Sequence, residues 1–141
     1  MAKIIHAVVI HASRKKIYRA ITTQEGLSNW WTKTVTAEPK VGGIADFQFA
    51  NEFGATMEIV DLDKEKRVEW KCTGGAEEWL GSLFVFELSD RDGSVLLMFT
   101  QTYEQEISDV AYGTYNFNWA YYLQSLKEYC ETGKGKPFDR R

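Results

Sequence analysis

Leu83-Phe84-Val85-Phe86-Glu87-Leu88 and Val95-Leu96-Leu97-Met98-Phe99-Thr100, joined through Ser89-Asp90-Arg91-Asp92-Gly93, form the stretch on which the fold turns. Read with a period of two, Leu83 and Val85 share a face opposite Phe84, Phe86 and Leu88, while Val95, Leu97 and Phe99 lie opposite Leu96 and Met98. Both strands are apolar on both faces, so each face needs cover. The break between them lacks the length and the distal Glu of a calcium loop and reads as a hairpin turn.

Outward from this hairpin, residues 44–103 hold five apolar runs with turn-like breaks at 51–54, 63–66, 73–78 and 89–93. Links this short imply antiparallel neighbours. Phe47 and Phe49 alternate with Asp46 and Gln48, and Val68, Trp70 and Cys72 with Arg67, Glu69, Lys71 and Thr73, which gives those strands one wet face.

Towards the C-terminus the period changes to that of a helix over about 111–131, stopped by Gly133. Tyr112, Tyr115, Trp119, Tyr122, Leu123, Leu126 and Cys130 form one stripe with Asn116 at its margin, and Phe117 and Tyr121 fall on the far side. Towards the N-terminus, residues 3–11 read as a strand and Ser13 as the N-cap of a short helix over roughly 13–22. Thr22-Thr23-Gln24-Glu25 has the form of a capping box, opening a second short helix that carries Leu27, Trp30 and Trp31. The stretch 32–43, with Pro39 and Gly42-Gly43, reads as a loop. The layout is therefore α+β: one curved antiparallel sheet of about six strands around a long C-terminal helix, with two short helices after the first strand.

A chain of 141 residues, 44% hydrophobic and 26% charged, is expected to form one domain over residues 1–141 with a sizeable core. Seventeen Lys+Arg against 20 Asp+Glu leave no basic field for a nucleic acid. The N-terminal stretch is neither a signal peptide nor a membrane span, so the expected location is cytoplasmic. Cys72 and Cys130 form no CxxC pair, and His6 and His11, five positions apart on a strand, point to opposite faces; neither pattern suggests a metal site, and no cofactor is expected.

The residues resemble those of the START-like helix-grip proteins, and within them the group named after the activator of the heat-shock chaperone ATPase. The resemblance rests on Ala12-Ser13 before a short amphipathic helix, Leu27-x-x-Trp30-Trp31, Val41-Gly42-Gly43 leading into Phe47 and Phe49, and the ending Trp119-x-x-x-Leu123-x-x-Leu126-x-x-Tyr129 with Gly133, Gly135 and Pro137. It covers nearly the whole chain and implies a helix-grip fold with an apolar cavity between sheet and last helix. Relatives commonly carry a Gly before the tryptophan of that helix, where this chain has Asn118.

Phe, Tyr and Trp number 8, 7 and 5, an excess that either frames a cavity or fills the core. The candidate ligand contacts are Trp30, Trp31, Phe47, Phe49, Met57, Trp70, Trp79, Phe84, Phe86, Met98 and Trp119, with Tyr103, Tyr115, Asn116 and Tyr122 as polar tips. Glu58, between Met57 and Ile59, is expected to face solvent. The leading expectation is binding of a small hydrophobic or aromatic molecule. The alternatives are a cyclase, dehydratase or hydrolase using the same cavity, and a protein-interaction domain, either a chaperone cofactor or a homodimer joined through Phe117, Tyr121 and the second apolar strand face.

Overall fold

A computed structural model describes residues 1–50 and 53–139. Strand β1 (Lys3–Ile10) is followed by helices α1 (Arg14–Thr22) and α2 (Gln24–Trp30), then by strands β2 (Val35–Ala37), β3 (Ile44–Gln48), β4 (Gly54–Asp63), β5 (Arg67–Gly75), β6 (Leu83–Arg91) and β7 (Ser94–Thr102), and by the long helix α3 (Asp109–Thr132). The strands form one antiparallel sheet in the order β1-β7-β6-β5-β4-β3-β2. Strands β2 to β7 are thus a meander, and β1 returns to pair with the last strand. Helices α1 and α2 carry the chain from one edge of the sheet to the other.

Short polar side chains set the helix ends. Ser13 accepts from the Lys16 amide at 3.1 Å and Ser108 from the Ala111 amide at 3.1 Å, while Gly133 closes α3 at φ 86°. The expected capping box is shifted by one residue. The N-cap of α2 is Thr23, which accepts from the Gly26 amide at 3.0 Å, whereas the Thr22 hydroxyl turns back onto the Tyr18 carbonyl at 2.7 Å. The sheet has seven strands rather than six, because Val35–Ala37, inside the expected loop, pairs with Ala45–Phe47 of β3. Of the turn expected at 51–54, Asn51 and Glu52 lie outside the described residues.

Register shifts at Thr56/Met57 and Ile59/Asp61 bend β4 against β5 and help curl the sheet around α3. The concave face carries Ile4 and Ile10, Leu97 and Phe99, Phe84 and Phe86, Val68 and Trp70, Met57, Ala45 and Phe47, all buried. The convex face carries Glu58, paired with Lys71, and an Arg67 that bridges Asp61 at 3.0 Å and Glu69 at 2.7 Å. Met98 and Leu96 share this outer face, so Met98 lines no inner cavity, contrary to its place among the expected contacts.

The C-terminal half of α3 is tied to the end of β1. Glu131 Oε2 accepts from the His11 amide at 2.8 Å and from Lys127 Nζ at 2.9 Å, and Lys127 also donates to the Val9 carbonyl. The His11 amide and then the lysine hold the Glu131 carboxyl below its usual pKa. A carboxylate depressed in the folded state contributes stability that is complete above its unfolded value, about 4.3, and is lost as pH falls through the folded value. Urea midpoints of Glu131→Gln and the native chain should therefore differ at neutral pH and converge as pH falls through the depressed folded value; a constant gap across the titration would count against this staple.

Candidate functional site

Helix α2 ends on two adjacent tryptophans that divide their work. Trp30 is fully buried and donates Nε1–H to the Ala20 carbonyl at 2.8 Å, locking α2 onto α1. Trp31 points the other way and meets Phe47 at 4.4 Å, Trp119 at 5.0 Å and Phe49 at 5.3 Å between ring centroids. Its far edge is one wall of a cleft of about 340 Å³ between the sheet and the N-terminal half of α3.

The opposite wall is Trp79, carried on a single 3₁₀ turn (Glu77–Trp79) between β5 and β6. Its indole lies parallel to Trp119 at 6.1 Å and meets Tyr115 and Phe53 edge-on at 5.4 and 5.5 Å. Tyr115 donates its hydroxyl to Glu78 at 2.7 Å, and burial followed by that carboxylate pushes its pKa well above the usual tyrosine value. Burial also raises Tyr122. Both phenols are therefore neutral hydrogen-bonding tips at physiological pH. Phe138, from the tail after α3, packs on Phe49 at 5.9 Å and completes the rim.

Six of the expected contacts meet at this cleft: Trp31, Phe49, Trp79, Tyr115, Trp119 and Tyr122. Trp30, Phe47, Met57, Trp70, Phe84, Phe86 and Tyr103 are instead buried in the packed layer behind it. Asn116 is exposed on α3 and does not line the cleft; Asn118 and Thr114 do, because the face α3 turns to the cleft lies on the Asn118 side of the stripe. Ala50, Phe53 and Phe138 also line it without having been expected. The departure at Asn118 was visible in the sequence; the two phenylalanines sit in a turn and a tail, where no periodicity marks them.

Among the described residues no charged side chain lines the cleft, and no three His, Cys, Asp or Glu side chains gather as a metal site. A larger groove of about 790 Å³ runs beside α1, but Lys15, Lys16 and Arg19 line it and it offers one aromatic ring, Tyr129. Both cysteines are free and buried, and burial pushes the Cys130 thiol up to about 12 and raises that of Cys72. Neither is an activated nucleophile. No described helix is long and apolar enough to cross a membrane.

This geometry, a curved seven-stranded sheet gripping one long helix, can be set against known proteins. The sequence profile of the family described as "Activator of Hsp90 ATPase homolog 1-like protein" matches residues 11–131. The chain belongs to this family. A solution structure of the Aha1 dimer from Colwellia psychrerythraea is similar at 34% identity, with 96% of this chain and 100% of that one covered and a TM-score of 0.86. A Mesorhizobium loti protein shares the fold at 17% identity over 90% of this chain and 95% of its own, TM-score 0.79, as does a Bacillus halodurans protein at 15% over 93% and 98%, TM-score 0.76. No curated protein matches the sequence. The helix-grip fold of this family member agrees with the architecture expected from its residues.

Proposed function

We propose that this chain binds a small, mainly apolar or aromatic molecule in the cleft between the sheet and α3. The observation that carries this reading is a space of about 340 Å³ walled by Trp31, Trp79, Trp119 and five phenylalanine or tyrosine rings, with only neutral polar tips among its described residues. Rigid rings around an open volume suit planar apolar ligands, and a few polar groups at the edge fix orientation. Binding is favoured over turnover because no nucleophile and base stand together among the described lining residues, and the two phenols there are held neutral. The reading takes residues 1–141 as one unit acting in the cytoplasm.

Titration with N-phenylnaphthylamine, a neutral probe that fluoresces when desolvated, should show saturable one-site binding. Asn118 is exposed at the cleft, so Asn118→Trp should block it and weaken binding at least about tenfold, with the melting temperature unchanged because a surface substitution costs within about 0.5 kcal/mol. A signal that never saturates, or one that Asn118→Trp leaves intact, would defeat the reading.

A second reading, that two copies associate, is supported by the dimeric state of the Colwellia psychrerythraea relative and by Phe117 and Tyr121 on the outer face of α3, which are 73% and 50% exposed. Sedimentation equilibrium should give twice the chain mass at micromolar concentration, and Phe117→Ser should return the monomer. A native chain that sediments at monomer mass throughout would remove this reading.

A further inference from the structure

Behind the inner wall of the cleft lies a set of polar atoms that the fold leaves unpaired. Trp79 Nε1, Ser82 Oγ, Gln101 Nε2 and Tyr103 OH are all buried without a hydrogen-bond partner among the described residues. Their residues are 4, 0, 0 and 0% exposed. Register brings them together: Phe84 lies opposite Gln101 and Leu83 opposite Thr102, so Ser82 and Tyr103 occupy the same end of the β6–β7 pair on the buried alternation. Trp79 Nε1–H is near enough to the Tyr103 hydroxyl to lower its pKa, yet the two do not reach hydrogen-bond geometry. Gln101 is held in place by the Trp119 indole, which donates to its Oε1 at 2.8 Å, leaving the amide NH₂ over.

Unpaired buried polar groups are rare because each forfeits its hydration, so four in one place call for a partner. One ring layer, Trp79 itself with Tyr115 and Trp119, separates the other three from the cleft, and Tyr115 stacks on Tyr103 at 6.4 Å behind. The turn bearing Trp79 sits between Gly75 and Gly81, both in the left-handed region at φ 86° and 81°, and the residue before it, Ala76, provides no side-chain cap.

We propose that Ser82, Gln101 and Tyr103 form a polar subsite reached when Trp79 swings aside, and that it receives the carbonyl oxygen of a neutral, mainly apolar ligand. The donor inventory sets the acceptor class: an amide NH₂ donates only, and two hydroxyls can donate. Burial first, then the neighbouring Tyr115, keeps the Tyr103 phenol protonated. Neutrality follows from the surroundings, since among the described residues no Lys or Arg lines the cleft and the Glu78 carboxylate stands at its edge on Tyr115. A carboxylate placed there would be desolvated without a cation.

The proposal rests on the cleft being a binding site, and a matched pair of probes separates the two claims. Fluorene and fluorenone share one rigid skeleton and differ by a carbonyl. Wild-type protein should bind fluorenone about tenfold more tightly than fluorene, the scale of a satisfied buried hydrogen bond. The Trp79 indole N–H resonance should shift with fluorenone alone. Ser82→Ala combined with Tyr103→Phe deletes two unpaired oxygens and little volume, so the variant should fold, bind fluorene as wild type does, and lose the preference. If that double variant does not fold, Ser82→Ala alone should reduce the preference. Equal binding of both probes by wild type, as expected if only water meets these groups, would overturn the subsite and leave the cleft reading standing. Binding of neither probe would overturn both.

Discussion

Replacing Trp31 with alanine should destabilise the protein by about 3–5 kcal/mol, the usual cost of deleting a large buried aromatic side chain. Trp31 is 2% exposed and has five ring neighbours between 4.4 and 6.1 Å: Phe47, Trp119, Phe49, Trp30 and Trp70. These come from α2, from β3 and the residue just beyond it, from β5 and from α3. The void left by the indole is therefore bounded by four separate segments, none of which can close it without giving up its other contacts. A domain of this size has a total stability of about 5–15 kcal/mol, so the variant would keep only part of its margin and melt roughly 10 °C or more below the native chain. Equilibrium urea unfolding measures the loss directly. Trp31→Phe should recover more than half of it, because a ring still bridges β3 and α3. A loss below about 1 kcal/mol for Trp31→Ala would mean that the site collapses freely and that the rings are not the frame of the cleft.

That same residue shows where the sequence is informative. Leu27, Trp30 and Trp31 fall on one short helix, and the structure buries all three. The caps at Ser13 and Gly133 are readable because capping is local chemistry, one side chain or one φ angle deciding the end of a helix. Strand β2 is not readable: Val35–Ala37 is too short to show alternation and becomes a strand only through its partner β3. Met98 illustrates a deeper limit. A strand apolar on both faces carries no inside–outside signal, and the outer position of Met98 follows from Phe99 pairing with His6 and Phe86 on the concave side, a fact of register. Asn116 and Asn118 are equally polar and two positions apart, and only the rotation of α3 against the sheet tells them apart. Composition likewise could not say whether rings frame or fill. Trp70, Phe84 and Phe86 fill, with Trp70 and Phe86 in edge contact at 4.9 Å, whereas Trp79 and Tyr115 frame.

The tail after α3 connects stability to the cleft, and Gly135 is the residue on which its seating depends. A Cβ at this position would run into the Asn29 carbonyl oxygen of α2 and lie 3.0 Å from the Ser125 carbonyl oxygen of α3. These are backbone atoms of two packed helices, so it is the tail that must move. Moving it breaks a connected set of bonds. Ser125 Oγ accepts from the Lys136 amide at 2.7 Å while donating to the Trp30 carbonyl at 2.8 Å, and Phe138 exchanges backbone bonds of 2.8 Å with Trp31 and Lys33. Phe138 then leaves Phe49, and the cleft loses one of its rings. Gly135→Ala is expected to cost about 2–3 kcal/mol, in the range of overpacking a close contact, and to abolish hydrogen-exchange protection of the Phe138 and Lys33 amides. Phe138→Ala separates the two consequences: it removes the ring from the rim but leaves the tail's backbone bonds in place, so it should open the cleft to N-phenylnaphthylamine with faster association while keeping those amides protected. If instead Gly135→Ala melts with the native chain and its Phe138 amide stays protected, the helix junction yields to the added methyl and the tail is not held by the fit at Gly135.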